Sequence, residues 1–231
     1  MIFFDIDGTL IDHKKAEKNA VMCFYECNEL TGVISESEFY NLWSDIAKKY
    51  FNIYLQGGLT FSEQRLERIK SIFKRLGKDI LHQKAEILSE KFLTDYEKGL
   101  ELFEDAFLML KDLKDYRLGI ISNGDHKQQC FKLQKTGIID RFEVVITAGS
   151  SGFAKPDKNI FRIACEKAKL EPEKCFYVGD EVETDIIACE KYGMKGILID
   201  REKKASSTNK FLSVTSLNII EKLVNGAVGN V

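Results

Sequence analysis

MIFFDIDGTLID (residues 1–12) sets an apolar run against two carboxylates. In extended backbone the side chains alternate faces, so Asp5 and Asp7 leave on the same side. Two like charges that close repel each other. They are tolerated at a strand end near water, with a cation or a protonated partner between them. Gly8 then stops the run. The dodecapeptide alone is equally a surface strand and turn with two solvated acids, so the rest of the chain decides.

The chain of 231 residues has room for one large domain, or for a core with a smaller inserted one. Apolar residues make up 44% and charged residues 30%, the profile of an ordinary soluble globular protein. A formal charge of −2 gives no attraction toward nucleic-acid polymers or membrane surfaces. No stretch approaches the roughly 18 uninterrupted apolar residues of a membrane-spanning helix. The first residues are a strand followed by acids rather than a basic region with an apolar signal core, so a cytoplasmic location is expected. The six cysteines (Cys23, Cys27, Cys130, Cys165, Cys175, Cys189) form no CxxC pair, and most sit among apolar neighbours as small reduced residues do. His13, His82 and His126 are scattered, which disfavours a zinc hydrolase.

Five short apolar runs recur at 2–6, 117–122, 143–147, 175–179 and 195–200, the last four separated by helical patterns. Near-continuous apolar strands alternating with helices predict an α/β fold, a doubly wound parallel sheet covered on both faces. The gap after the first strand is too long for one crossover helix. It reads instead as four amphipathic helices, with stripes at Ala16, Ala20, Cys23, Phe24 and Cys27; at Phe39, Leu42, Trp43, Ile46, Tyr50 and Ile53; at Leu66, Ile69, Phe73 and Leu76; and at Ala85, Leu88, Phe92 and Tyr96. Ser35 with Glu38, and Thr60 with Glu63, match the capping box at two helix starts. The expected organisation is a Rossmann-like core over 1–13 and 99–231 with a helical bundle inserted over 14–98. Its exits lie at the sheet edge where such folds bind ligands, the position of a lid. REKKASSTNK (201–210) reads as an exposed polar loop, and Pro156 and Pro172 each as following a strand.

Right-handed crossovers bring all the strand C-terminal ends to one edge. Asp5, Asp7, Gly8 and Thr9 end the first strand, and Ser122, Asn123 and Gly124 the second. Lys155 follows the third; Asp180 ends the fourth, with Asp185 five residues on. Asp5, Asp7 and Asp180, with Asp185 as a fourth, make an all-oxygen set suited to Mg²⁺. Ser122 and the amides around Asn123 sit at an expected helix N-terminus, ready for an anion, and Lys155 supplies a point charge for a phosphate oxygen. Together these groups meet the electrostatic needs of a transferring phosphoryl group. A carboxylate can act as its nucleophile and a second acid can move the proton. Singly each piece is weak: SNG is most often a cap and turn, a lysine before proline is most often solvated, and GDxxxxD is as easily a turn with a helix cap. Their order at four successive strand ends is the signal.

DIDGT (5–9), SNG (122–124), Lys155 and GDEVETD (179–185) resemble the four motifs of the haloacid dehalogenase-like hydrolase superfamily, and the helical insertion resembles its C1 cap. The resemblance spans the whole chain. It implies Asp5 as nucleophile and metal ligand, and Asp7 as general acid/base with its backbone carbonyl on the metal. Ser122 and the Asn123 amide would hold phosphate, Lys155 would neutralise nucleophile and phosphate, and Asp180 would bind Mg²⁺, directly or through water. Gly8 and Thr9 support the loop, and Asp185 would reach a metal-bound water or Lys155. Dehalogenases of the superfamily lack an aspartate at the position of Asp7, so its presence favours hydrolysis of a small-molecule phosphate ester, a nucleotide or sugar phosphate, by a monomer or homodimer. GLTFSEQRLERIKSIFKRLG and SNGDHKQQCFKLQKTGI are similar to the branch containing pyrimidine nucleotide 5′-phosphatases and acylneuraminate 9-phosphatases. The same residues also serve a phosphomutase. A phospho-acceptor receiver domain is disfavoured, because its aspartate lies on a middle strand and it has no helical insertion.

Overall fold

The computed structural model describes residues 1–203 and 211–228. Its strands are β1 (Ile2–Phe4), β2 (Leu118–Ser122), β3 (Val144–Thr147), β4 (Phe176–Gly179), β5 (Lys195–Ile199) and β6 (Ser213–Val214). They form one sheet in the order β3-β2-β1-β4-β5-β6, and every pairing is parallel. The fold is the expected doubly wound α/β sheet. The sixth strand escapes the sequence reading because two residues carry no periodicity.

The helices are α1 (His13–Cys27), α2 (Glu36–Leu55), α3 (Phe61–Arg75), α4 (His82–Lys98), α5 (Glu104–Asp112), α6 (His126–Lys135), α7 (Ala148–Ser151), α8 (Lys158–Ala168), α9 (Ala188–Tyr192) and α10 (Ile220–Val228). The chain divides into two compact units: residues 1–12 with 101–231, and residues 13–100. In the helical unit both capping boxes form, at Ser35 with Glu38 and at Thr60 with Glu63. Its core packs Phe24, Phe39, Trp43, Ile69, Ile72, Phe73, Ala85, Leu88 and Phe92. One stripe is corrected. α1 buries Ala16, Ala20, Val21, Phe24 and Tyr25, while Cys27 is exposed. Bulkier Val21 and Tyr25 take the inward positions, and Cys23 is half-buried. Among the described residues no helix is long and apolar enough to cross a membrane.

In the α/β unit, Phe3, Ile121, Ile160, Phe161, Cys165, Cys175, Tyr177 and Cys189 belong to one buried cluster beside the sheet. β1 is shorter than expected and stops at Phe4. Ile6 opens a turn, its carbonyl accepting from the amides of Leu10 and Ile11 at 2.9 Å each. Pro172 does not follow a strand. It opens a 3₁₀ turn (Pro172–Lys174) ahead of β4, where its missing N–H leaves no bond unmade. The polar stretch 201–210 lies outside the described residues from 204 onward. Its first residue is no loop arginine: Arg201 donates to the carbonyl oxygen of Thr9 at 2.8 Å and to Asp105 at 2.8 Å.

Candidate active site

β1 lies between β2 and β4, so the chain leaves it in one direction and later returns on its other side. Ligands of open α/β sheets bind at such a switch point, beyond the strand C-termini. Asp5 directly follows β1, and its amide donates to the Val178 carbonyl at 2.9 Å, which anchors it to β4. Asp180 directly follows β4. Gly8 makes the approach of these loops feasible: it has φ +85°, and a Cβ there would stand 2.3 Å from Asp180 Oδ2. Gly179 does the same for Asp185, whose Oδ2 would lie 2.3 Å from an added Cβ. Thr9, fully buried, donates to Asp180 Oδ1 at 3.4 Å.

Lys155 stands at the centre of the site, 5% exposed. Its ammonium donates to Asp5 Oδ1 at 2.8 Å, Asp185 Oδ1 at 2.6 Å and the Tyr177 hydroxyl at 2.9 Å. The side chain of Asn123 fixes the loop that carries it, accepting from the Lys155 amide at 2.7 Å and donating to the Lys155 carbonyl at 3.0 Å. Tyr177 in turn donates to the Ile121 carbonyl at 2.8 Å. Asp185 is 1% exposed, and its second oxygen accepts from the Glu181 amide at 3.1 Å.

Asp5, Asp180 and Asp185 present carboxylate oxygens within 4.8 Å of one another. Burial raises Asp5 to about 6; Lys155 pulls it down, while Asp185 and Asp7 push it up. Burial, then the charges of Asp5 and Asp185, push Asp180 up to about 8. Burial opposes the Lys155 charge, yet Asp185 and Asp5 hold its ammonium above the ordinary lysine range. Three carboxylates around one ammonium leave an excess of negative charge, and their hard oxygens fit a small divalent cation.

The other expected residues divide. Asp7 is not one of the three acids whose oxygens lie within 4.8 Å of one another, although its charge still acts on Asp5. The chain has already left the strand, and the Asp7 carboxylate meets the Lys132 ammonium at 2.7 Å from both oxygens. Ser122 is buried at the end of β2. Helix α6 starts only at His126, capped by Asp125, so SNG forms the turn before the helix rather than its first residues. Sequence reasoning missed Gln129, Lys132, Tyr177 and Arg201. A lysine beside Leu133 on a buried helix face, and a hydroxyl within an apolar strand, were the available signals.

The class of protein follows: a doubly wound α/β protein with a lysine-bridged carboxylate cluster at its switch point. The chain belongs to the haloacid dehalogenase-like hydrolase family, whose model matches residues 1–193, and it is therefore a hydrolase. It is 31% identical over 211 residues to the glyceraldehyde 3-phosphate phosphatase of Methanothermobacter thermautotrophicus, covering 87% of this chain and 85% of that one. It is 25% identical over 227 residues to the pyrimidine 5'-nucleotidase YjjG of Escherichia coli, covering 96% of each. Among solved structures, the HAD-hydrolase YfnB from Bacillus subtilis bound to magnesium is similar with a TM-score of 0.81 at 22% identity, covering 97% of each chain.

Proposed function

We propose that this protein hydrolyses small-molecule phosphate monoesters, nucleotides or sugar phosphates, through an aspartyl-phosphate on Asp5, with Mg²⁺ as cofactor and the helical unit as its cap. The observation that carries the reading is a buried Asp5 carboxylate held by Lys155 at 2.8 Å within a cluster of two further acids. The relatives named as phosphatases support the same chemistry.

An Asp5 oxygen attacks phosphorus, and the bond from phosphorus to the leaving oxygen breaks. That oxygen keeps the electron pair and takes a proton from Asp7. Water then attacks the phosphorus, Asp7 takes up its proton, and the Asp5–phosphorus bond breaks to release inorganic phosphate. Ser122 and the Asn123 amide hold the phosphate oxygens, and Lys155 offsets their charge. Asp5 and Asp180, with the backbone carbonyl of Asp7, would hold the Mg²⁺. Such an ion supplies charge stabilisation to the phosphoryl oxygens in the transition state. Asp185 is assigned to orienting Lys155, since both its oxygens already accept hydrogen bonds. The six free thiols fit the reducing conditions of the cytoplasm.

The test is phosphate release from p-nitrophenyl phosphate and a panel of nucleotides and sugar phosphates, with Mg²⁺ and with a chelator. Turnover is expected with Mg²⁺ only, and Asp5→Asn should lower it on the order of a thousandfold or more. No phosphate release from any ester, or full activity in Asp5→Asn, overturns the reading.

A further inference from the structure

Two residues outside this chemistry share one face of α6. Gln129 and Lys132 are three apart, so their side chains are neighbours on the helix surface, and they are 1% and 4% exposed. A lysine is seldom this buried unless paired. Lys132 Nζ lies 2.7 Å from each Asp7 oxygen. Gln129 Nε2 donates to Asp7 Oδ2 at 3.1 Å, to Ser122 Oγ at 2.9 Å and to the Asn123 carbonyl at 3.1 Å.

Hydrogen-bond roles give this arrangement a direction. A backbone carbonyl and an ionised carboxylate only accept, so the nitrogen end of the Gln129 amide must face them. The same nitrogen reaches the Ser122 oxygen, its two hydrogens shared among three acceptors, and the Ser122 hydroxyl has the Asn123 carbonyl as an acceptor at 3.5 Å.

We propose that Gln129 and Lys132 are positioning residues. Lys132 fixes the carboxyl of Asp7 for proton transfer, and Gln129 ties that carboxyl to Ser122, so that the acid/base group and the phosphate-holding hydroxyl keep one spacing. The proposal rests on the phosphatase reading above. Because Lys132 reaches both oxygens, one contact survives when either oxygen carries the proton. Without the ammonium the Asp7 side chain, 23% exposed, loses the donor that grips both its oxygens and keeps the Gln129 contact on Oδ2 alone, and a misplacement of about 1 Å costs on the order of a hundredfold in rate.

The consequence depends on the leaving group. p-Nitrophenolate departs as an anion, whereas phenolate gains much more from a proton supplied as the bond breaks. The two esters are close in size, so the comparison isolates proton transfer from fit. In Lys132→Met, which keeps the aliphatic stem, kcat/KM for phenyl phosphate should fall about 30-fold or more, and that for p-nitrophenyl phosphate less than about threefold. Lys132→Arg should restore phenyl phosphate to within about tenfold of wild type, because a guanidinium also grips both carboxylate oxygens. Circular dichroism checks that each variant folds. Should Lys132→Met not fold, Gln129→Met carries the same comparison, with weaker inhibition by inorganic phosphate added as the Ser122 readout. Equal falls for the two esters, or no fall, overturn the proposal while the phosphatase reading stands. A wild-type protein that releases no phosphate from any ester overturns both.

Discussion

The two units of this chain handle buried polar groups in opposite ways. In the helical unit, Gln64 and Ser89 are the buried polar residues among those described, and Gln64 donates to a carbonyl three residues back, that of Phe61. The interior there is aromatic: the Trp43 ring lies 4.4 Å from Phe92 and 5.2 Å from Phe24. In the α/β unit, buried Asp5, Lys132, Lys155 and Asp185 converge at the strand ends, and their partners are distant in sequence. Asp5 and Lys155 are 150 residues apart, and Asp7 and Lys132 are 125 apart. Buried ion pairs are weak devices for stability, since desolvation offsets much of their attraction. A fold that could have placed apolar residues there instead holds ions for another purpose. The helical unit is built for packing and the strand ends for chemistry.

If that division is right, the largest stability loss lies far from the chemistry. Trp43→Ala removes a side chain 1% exposed from the aromatic core and should destabilise by about 3–5 kcal/mol. Urea unfolding followed by circular dichroism measures it. A loss below about 1 kcal/mol would mean that the core collapses around the gap, and the contrast with the strand ends would fail.

Gly8→Ala should reverse the pattern. A left-handed conformation at φ +85° costs a non-glycine residue about 1–2 kcal/mol. The larger effect is local, because the new methyl would overlap the Asp180 carboxylate at 2.3 Å and push it from the cluster. Phosphatase kcat/KM should drop about a hundredfold while the protein stays folded. A Gly8→Ala protein with wild-type kinetics would show that the cluster has slack, against the reading of a fixed site.

What could be read beforehand follows the same division. Periodicity exposed the four helices of the insertion, and apolar runs five of the strands, because each repeats its pattern over several residues; β6, with two residues, repeats nothing. The site was legible where a residue sits at a strand end, since a parallel sheet gathers those ends whatever the distances in sequence. Lys132 and Gln129 lie within a helix, where a polar residue is ordinarily solvated, and only the packing of α6, which meets β3 and α7, turns them inward. Strand alternation was extended past Phe4 to Asp5 and Asp7, where turn hydrogen bonds take over. Arg201 was hidden by its neighbours, a run whose composition is that of a loop.

The smallest effect is assigned to the brace behind that turn. Arg201 donates to the Gly8 carbonyl at 3.4 Å and the Thr9 carbonyl at 2.8 Å, and its guanidinium carbon lies 3.7 Å from the Phe103 ring centroid. Asp105 in the first turn of α5 accepts from Arg201 at 2.8 Å and from the Leu217 amide at 2.9 Å. Partial burial would raise the Asp105 carboxyl, but the bonds from Arg201 and Leu217 and the Arg201 charge outweigh it and hold the group below its ordinary value. A carboxyl depressed on folding adds stability that is complete above its unfolded value of about 3.9 and lost as pH falls through the lower folded value. Asp105→Asn keeps the shape and removes the charge. It should lower stability near neutrality by about 1 kcal/mol or less, and the gap to wild type should close as the pH falls from about 5 toward 3. Urea midpoints across that range decide the matter: a gap that stays constant with pH assigns the effect of Asp105 to packing and removes electrostatics from the brace.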